Sequence, residues 1–250
     1  MKKIAVITKN FPRHFDFIVS VMETGLLHGI VMVLDEENKF VNNNDILNKY
    51  YQNSEHKFFG NKYNNISRIE TVTISDNNIN SDKVTSFINN KDVDLTIIFD
   101  VNNINDVTLK NIKSEIWKVY FGYIQKYAGL YGNIYAAMNN KGPSICTSLI
   151  TFKDNLYKGS IIHQTPSNFR QEDTVTDAEF RSLRKMMYDM EKLLNLYNED
   201  KIIYHTNDNS MQNIPENYIE TINMEEISTK TGFLVKNLID EENFEFIKQI

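Results

Sequence analysis

Short apolar runs and helically spaced apolar residues alternate along most of the chain. Residues 3–8 are a short apolar run that predicts a buried strand, and the apolar positions of residues 15–22 recur at helical spacing. A second run at residues 29–34 is apolar and β-branched, which predicts another strand. A strand, a helix and a strand in this order form a βαβ unit, which requires a parallel sheet with a right-handed crossover.

The alternation continues to residue 197, so the sequence predicts an α/β fold with a mainly parallel, twisted sheet flanked by helices. Residues 36–68 are rich in Asn, Lys and Tyr and are interpreted as a surface excursion, and residues 122–132 as a structured loop. We expect one large domain over residues 1–200 and a small C-terminal appendage over residues 201–250. The other predicted strands are 69–74, 93–99, 116–121, 145–152 and 159–164, and the other predicted helices are 46–52, 81–89, 105–110, 133–138 and 176–197.

Composition narrows the class of protein. The 250 residues carry a net charge of −6, with a sequence pI near 5.5, which argues against a nucleic-acid partner. The longest apolar stretch, residues 26–34, is roughly half of a bilayer span, so we expect no transmembrane helix and no membrane partner. The single Cys146 cannot form an internal disulfide, which fits a reducing cytoplasm. We expect no metal site, because His28, His56 and His205 lack metal-ligand spacing.

A motif between residues 118 and 164 carries a resemblance to a known family. Residues 119–133 read Val-Tyr-Phe-Gly-Tyr-Ile-Gln-Lys-Tyr-Ala-Gly-Leu-Tyr-Gly-Asn, and Tyr-Lys-Gly follows at 157–159 before an apolar strand. This resembles the central motif of the formyltransferase family, which runs Asn-x-His, a Leu-Pro-x-Tyr-Arg-Gly loop, a helix and then Asp-x-Gly. Residues 13–14 (Arg-His), 58–60 (Phe-Phe-Gly) and 80–81 (Asn-Ser) also match, so the resemblance spans residues 1–200 in order and spacing.

The family includes methionyl-tRNA, glycinamide ribonucleotide and sugar-nucleotide N-formyltransferases. Its short free-standing members act mostly on amino sugars attached to nucleotides. The resemblance therefore implies a small-molecule partner of this kind, N10-formyltetrahydrofolate as the formyl donor if the protein is active, and a homodimer. It also implies substrate-binding roles for Asn10, Arg13, His14 and Tyr127, and a folate-binding role for the stretch Phe99, Asp100 and Val101.

The catalytic triad of the family is replaced in this chain. When the motifs are aligned through residues 126–129, the family's Asn falls on Lys118, its His on Tyr120 and its Asp on Tyr157. In the family, the Asn and the His donate hydrogen bonds to the oxyanion that forms when an amine attacks the formyl carbon. One such donor is worth about 2.7–4 kcal/mol. Position 157 offers no carboxylate for the proton of the amine, so the resemblance implies that the ordinary reaction is impaired.

Two interpretations of the replaced positions stay open. Lys118 and Tyr120 alternate along a strand and share one face, so both are candidate donors in the catalytic cleft. Asp154 and His163 are the candidates to replace the lost carboxylate and imidazole. In the other interpretation Tyr120 and Tyr157 fill a disused hole, Lys118 is a solvated residue at the end of a strand, and His163 is a packed or surface residue.

Three functional hypotheses follow from the replaced triad. We favour a degenerate member, a pseudoenzyme of amino-sugar metabolism that acts by binding a ligand or a partner. A true N-formyltransferase with a rewired site comes second, and it predicts formyl transfer that drops sharply in Lys118→Ala and Tyr120→Phe. A purely structural protein comes last and predicts no small-molecule binding in the cleft.

Overall fold

The computed structural model describes residues 1–35, 40, 44–60, 65–152, 159–207, 212–213, 225, 233–238 and 244–250. Its strands are β1 (Ile4–Lys9), β2 (Leu27–Leu34), β3 (Thr71–Ser75), β4 (Leu95–Phe99), β5 (Glu115–Phe121), β6 (Tyr127–Ala128), β7 (Cys146–Thr151), β8 (Ile161–Pro166) and β9 (Gln212–Asn213). Its α-helices are α1 (Pro12–Met22), α2 (Asp45–Phe59), α3 (Asp82–Asn90), α4 (Asp106–Asn111), α5 (Gly132–Met138) and α6 (Val175–Asn198).

Seven of these strands form one sheet, in the order β3-β2-β1-β4-β5-β7-β8. The first five strands in this order, β3 to β5, run parallel to one another. Strand β7 pairs antiparallel with β5, and β8 pairs antiparallel with β7. The central strands β1 and β4 are buried along almost their whole length, as in sheets that helices cover on both faces. The prediction of an α/β fold with a mainly parallel sheet is confirmed.

Helices bury two main clusters of apolar side chains against the sheet. One cluster contains Phe17 of α1, Leu47 of α2 and Leu183 of α6. The other contains Val84 of α3 and Leu109 of α4. The sheet therefore lies between two helical layers, and the carboxyl ends of its parallel strands meet at one edge, where open α/β sheets bind their ligands.

Most of the predicted elements are confirmed, but the interpretation of residues 36–68 as a surface excursion is wrong for α2. We expected a helix over 46–52, whereas α2 extends to Phe59. The helix buries Leu47, Tyr51, Glu55 and Phe59. These four residues recur every fourth position, so they lie on one face of the helix, which packs on α6. The Asn and Lys residues between them made the segment look solvent-exposed.

Two smaller differences concern segment ends. The predicted loop 122–132 contains β6, which pairs in parallel with β9 from the C-terminal part of the chain. Ser81 occupies the N-cap position of α3, as expected, but its side chain makes no capping hydrogen bond.

Part of the C-terminal segment packs into the main core. Phe233 and Val235 are buried in the same cluster as α6, and the Val235 N–H donates to the carbonyl oxygen of Asp173 at 3.0 Å. The division of the chain at residue 200 stays a prediction. Within the ranges given above, no helix is long and apolar enough to cross a membrane.

Candidate functional site

A cavity lies at the carboxyl ends of β4 and β5, beside the start of α1. Helix α1 follows β1 almost at once because Pro12 fixes the first helical turn, and this places Arg13 at the cavity. The cavity volume is about 70 Å³, enough for a few water molecules or for one end of a larger ligand. The site is therefore sized for a small functional group.

Arg13 is buried between two carboxylates. Its Nη1 donates to Glu55 Oε1 at 2.7 Å, and its Nη2 donates to Asp100 Oδ2 at 2.7 Å. Burial opposes the charged guanidinium, but Asp100 and Glu55 outweigh it and raise the pKa of Arg13. The guanidinium also stacks over the Phe40 ring at 4.2 Å. Arg13 therefore remains charged and is already engaged by acids within the protein, which differs from the simple substrate contact expected of it.

Asp100 lines the cavity, and His14 lies beside Asp100 without lining the cavity. Asp100 follows β4 with a left-handed φ of 55°, which an Asp tolerates and which turns the chain sharply at the strand end. His14 is fully buried, and its Nδ1 lies 2.6 Å from Thr8 Oγ1. Its Nε2 lies 3.5 Å from Asp100 Oδ2 without hydrogen-bond geometry. Burial lowers the pKa of His14 well below its usual value, so the ring is neutral.

Lys118 reaches the cavity from β5, the strand on which the sequence placed it. It is almost fully buried, so the interpretation of Lys118 as a solvated residue at a strand end is wrong. Its Nζ donates to Asn102 Oδ1 at 3.4 Å. Burial lowers the pKa of Lys118 to about 8, although the Asp100 carboxylate opposes this shift. A lysine in this condition is an ammonium donor that can also lose its proton close to neutral pH.

Tyr120 also lines the cavity, and its side chain is tightly packed. Its hydroxyl donates to the carbonyl oxygen of Tyr127 at 2.8 Å. A Cβ atom at Gly122 would lie 2.8 Å from Tyr120 Cε1, and a Cβ atom at Gly132 would also collide with the phenol. The two glycines thus make room for the ring, which fits the interpretation that Tyr120 fills a hole.

Glu179 is the acid of the cavity that the sequence analysis missed. Its Oε2 accepts a hydrogen bond from Asn133 Nδ2 at 3.0 Å, and Tyr51 hydrogen-bonds to the same carboxyl group. Burial raises the pKa of Glu179 to about 7, and the two hydrogen bonds oppose the shift. Burial and the nearby Glu179 raise the pKa of Tyr51 well above its usual value, so Tyr51 remains a protonated donor.

A sequence signal for Glu179 exists in hindsight. The apolar stripe of α6 includes Leu183, Met186 and Met190, and Glu179 precedes Leu183 by four residues on the same stripe. Glu55 likewise lies on the buried stripe of α2, four residues after Tyr51. A charged residue on the buried stripe of a helix is a candidate for a functional site.

Several other predicted residues lie near the cavity without lining it. Phe99 and Val101 are fully buried, so they offer a ligand only backbone groups. Tyr127 contributes its carbonyl oxygen to Tyr120. Asn10 uses its side-chain oxygen to accept the Asp35 N–H at 3.0 Å, which joins the loops after β1 and β2.

The remaining candidate acids and bases do not join the cavity. His163 faces α6, where its Nε2 lies 3.2 Å from Asp189 Oδ2 and its Nδ1 accepts from the Gln249 N–H at 3.1 Å. Asp154 and Tyr157 lie outside the described residues. In the described part of the chain, no three His, Cys, Asp or Glu residues are grouped to hold a metal ion.

No family model and no curated protein matches this chain. Solved structures do match it. An N-formyltransferase from Helicobacter canadensis, in complex with folinic acid and dTDP-3-aminofucose, aligns with a TM-score of 0.56 and 18% identity over 95% of this chain and 79% of that chain. A phosphoribosylglycinamide formyltransferase from Anaplasma phagocytophilum aligns with a TM-score of 0.58 and 14% identity over 84% of this chain and 97% of that chain.

A third structure comes from Anoxybacillus kamchatkensis. This formyltransferase, in complex with UDP-4,6-dideoxy-4-formamido-L-AltNAc and tetrahydrofolate, aligns with a TM-score of 0.52 and 14% identity over 94% of this chain and 97% of that chain. Together the three matches show that this chain has the formyltransferase fold.

Proposed function

We propose that this protein binds a nucleotide-linked amino sugar at the carboxyl edge of the sheet and has lost the formyl transfer typical of its fold. The ligands of two structural neighbours support the ligand class, since one neighbour is in complex with dTDP-3-aminofucose and another with a UDP-linked formamido sugar. The cavity is large enough for the amino end of such a ligand and too small for its nucleotide, so we propose that the nucleotide lies outside it.

The position of Tyr120 is the observation that carries the proposal. The resemblance puts the family's catalytic His at this position, where an oxyanion donor is needed. The one hydroxyl proton of Tyr120 is donated to the Tyr127 carbonyl, and the ring is packed against Gly122 and Gly132. Loss of a single oxyanion donor lowers the rate by about 10²–10³-fold. A site that lacks the imidazole and fills its place with a phenol is suited to binding and not to the ordinary transfer.

A rewired N-formyltransferase is the second candidate, and the buried pair of Lys118 and Glu179 favours it. Both side chains line the cavity, one as a donor for an oxyanion and the other as an acceptor for the proton of an amine. In the balanced reaction the amine nitrogen bonds to the formyl carbon, the bond from that carbon to N10 of the folate breaks, and the proton passes through Glu179 to N10. This candidate uses Glu179 where the sequence analysis proposed Asp154 or His163.

Binding is tested by calorimetry with dTDP-3-aminofucose and with a UDP-linked 4-amino sugar. We expect micromolar binding of at least one of them to the unmodified protein. Leu130→Trp places a bulky ring at the cavity wall and should abolish binding, whereas Val107→Trp on the exposed side of α4 is the matched control and should not. The proposal fails if neither ligand binds, or if Leu130→Trp binds as tightly as Val107→Trp does.

A further inference from the structure

Glu179 is a buried carboxyl group on the cavity wall to which the resemblance assigns no role. We propose that Glu179 selects a cationic amine in this cavity by forming an ion pair with the ammonium group of the ligand. The inference rests on the proposed function, because it names the group of the ligand that enters the cavity and the residue that recognises it.

The carboxyl group is held in a fixed orientation. Asn133 donates to Glu179 Oε2 through Nδ2, and the same amide is anchored to Cys146, whose N–H donates to Asn133 Oδ1 at 3.0 Å and whose carbonyl accepts from Nδ2 at 3.0 Å. Tyr51 holds the carboxyl from α2. An acid positioned in this way needs little rearrangement when a ligand arrives, which favours affinity.

In the described part of the chain, Glu179 has no cation in direct contact, although the charge of Arg13 acts on it from a distance and opposes the rise of its pKa. Among the described residues no Lys, Arg or His forms an ion pair with it, since Arg13 is engaged by Glu55 and Asp100. Lys118 donates a hydrogen bond to Asn102, and the carboxylate that acts on the pKa of Lys118 is that of Asp100. A buried carboxylate is costly unless a positive charge lies beside it. The ammonium group of a ligand supplies that charge, whereas an amide at the same place does not.

Several aromatic side chains line the cavity, together with the charged groups of Arg13, Asp100 and Lys118. The faces of such rings attract cations, and a carboxyl group among aromatic rings is a common way to bind an ammonium group. The cavity volume of about 70 Å³ suits an ammonium group and the carbon that bears it. The rings belong to Phe40, Tyr51, Tyr131 and Phe180.

Ion pairing at Glu179 changes its protonation. Its pKa of about 7 leaves the acid largely protonated at pH 6.5, and an ammonium group beside it favours the carboxylate. Binding therefore releases up to one proton near pH 6.5, and affinity rises between pH 5.5 and 7.5. Lys118, with a pKa of about 8, titrates above this range. The charged or titratable groups that surround Glu179 are Arg13 of α1, Tyr51 of α2, Asp100 after β4, Lys118 of β5 and Tyr131 before α5.

The experiment is calorimetry at pH 6.5 in two buffers of different ionisation enthalpy, with dTDP-3-aminofucose and its N-acetyl derivative as the probes. We expect the amine to bind at least tenfold more tightly than the amide and to release a proton on binding. In Glu179→Gln the preference and the proton release should both disappear. Glu191→Gln, an exposed acid on the same helix, is the matched control and should keep both.

The outcomes separate the inference from the proposed function. Equal affinity for amine and amide in the unmodified protein, or proton release that persists in Glu179→Gln, overturns the role of Glu179 and leaves the proposed ligand class intact. Failure of both probes and of the corresponding UDP-linked pair to bind overturns the proposed function itself. If Glu179→Gln does not fold, the comparison of amine with amide and the proton release in the unmodified protein still decide the question.

Discussion

Arg13 links three elements through two carboxylates, Glu55 of α2 and Asp100 after β4. Arg13→Met removes the cation and leaves both acids in a buried environment without their arginine. We expect the free energy of unfolding, measured by urea denaturation, to fall by about 3–5 kcal/mol. Removing one partner of a buried ion pair is costly because the charge of the other partner stays buried without compensation.

Arg13→Lys is the control for this prediction. A lysine keeps the positive charge but cannot bind two carboxylates through a planar fork, so we expect a smaller loss than in Arg13→Met. Equal losses in the two variants would show that charge compensation is not what Arg13 provides.

Glu179 makes stability depend on pH in a direction unusual for an acid. Its pKa rises from 4.5 to about 7 on folding, so between these values the folded protein holds a proton that the unfolded chain has lost. This contribution to stability is fully present below about pH 4.5 and is lost as the pH rises through 7. We expect the stability of Glu179→Gln relative to the unmodified protein to increase by about 3 kcal/mol between pH 4.5 and pH 8, measured by urea denaturation.

Glu191→Gln is the reference for that series, because Glu191 is an exposed acid on the same helix. A difference between Glu179→Gln and the unmodified protein that stays constant with pH would contradict a raised pKa at Glu179.

At the scale of elements, α6 depends on its first turn. Thr174 accepts the Asp177 N–H at 3.1 Å, and the Asp177 side chain accepts the Thr174 N–H in return, which is a capping box. Thr174→Ala should lower the free energy of unfolding by about 1 kcal/mol in urea denaturation. Thr174→Ser keeps the hydroxyl and should lose much less, and an equal loss in the two would assign the effect to the methyl group.

The elements could be predicted from the sequence where burial is continuous or periodic. Strands β1 and β4 are apolar runs, and α6 has an unbroken stripe, so tertiary packing agreed with the local pattern. Helix α2 could not be predicted in full, because half of its six buried residues are polar or charged: Asn48, Ser54 and Glu55. For the same reason the candidate site was only partly predicted: Lys118 and Tyr120 lie on a strand, whereas Glu179 looked like a solvent-exposed acid.

At the scale of the whole molecule, the C-terminal segment completes the core. Phe233 is fully buried and packs beside Tyr50 of α2 with ring centroids 5.1 Å apart. Phe233→Ala should lower the free energy of unfolding by about 3–5 kcal/mol in a single cooperative urea transition. The partly buried Phe246 is the control, since Phe246→Ala should lose less. A separate early transition in Phe233→Ala would instead mean that the C-terminal segment unfolds independently.

The fold brings the ends of β4, β5, α1 and α6 to one edge, where Tyr120, Asp100 and Glu179 line the same cavity. We propose that this cavity binds an amine, with the negative charges of Glu179 and Asp100 attracting it, and that no formyl transfer follows.

The most direct test incubates the protein at high concentration with N10-formyltetrahydrofolate and dTDP-3-aminofucose, and follows the N-formyl sugar by mass spectrometry. The Helicobacter canadensis enzyme serves as the positive control. We expect the amino sugar to bind. We expect the N-formyl sugar to form no faster than it does in the mixture without protein. Formation of the N-formyl sugar that requires the protein and falls sharply in Lys118→Ala would contradict the claim and establish a rewired transferase.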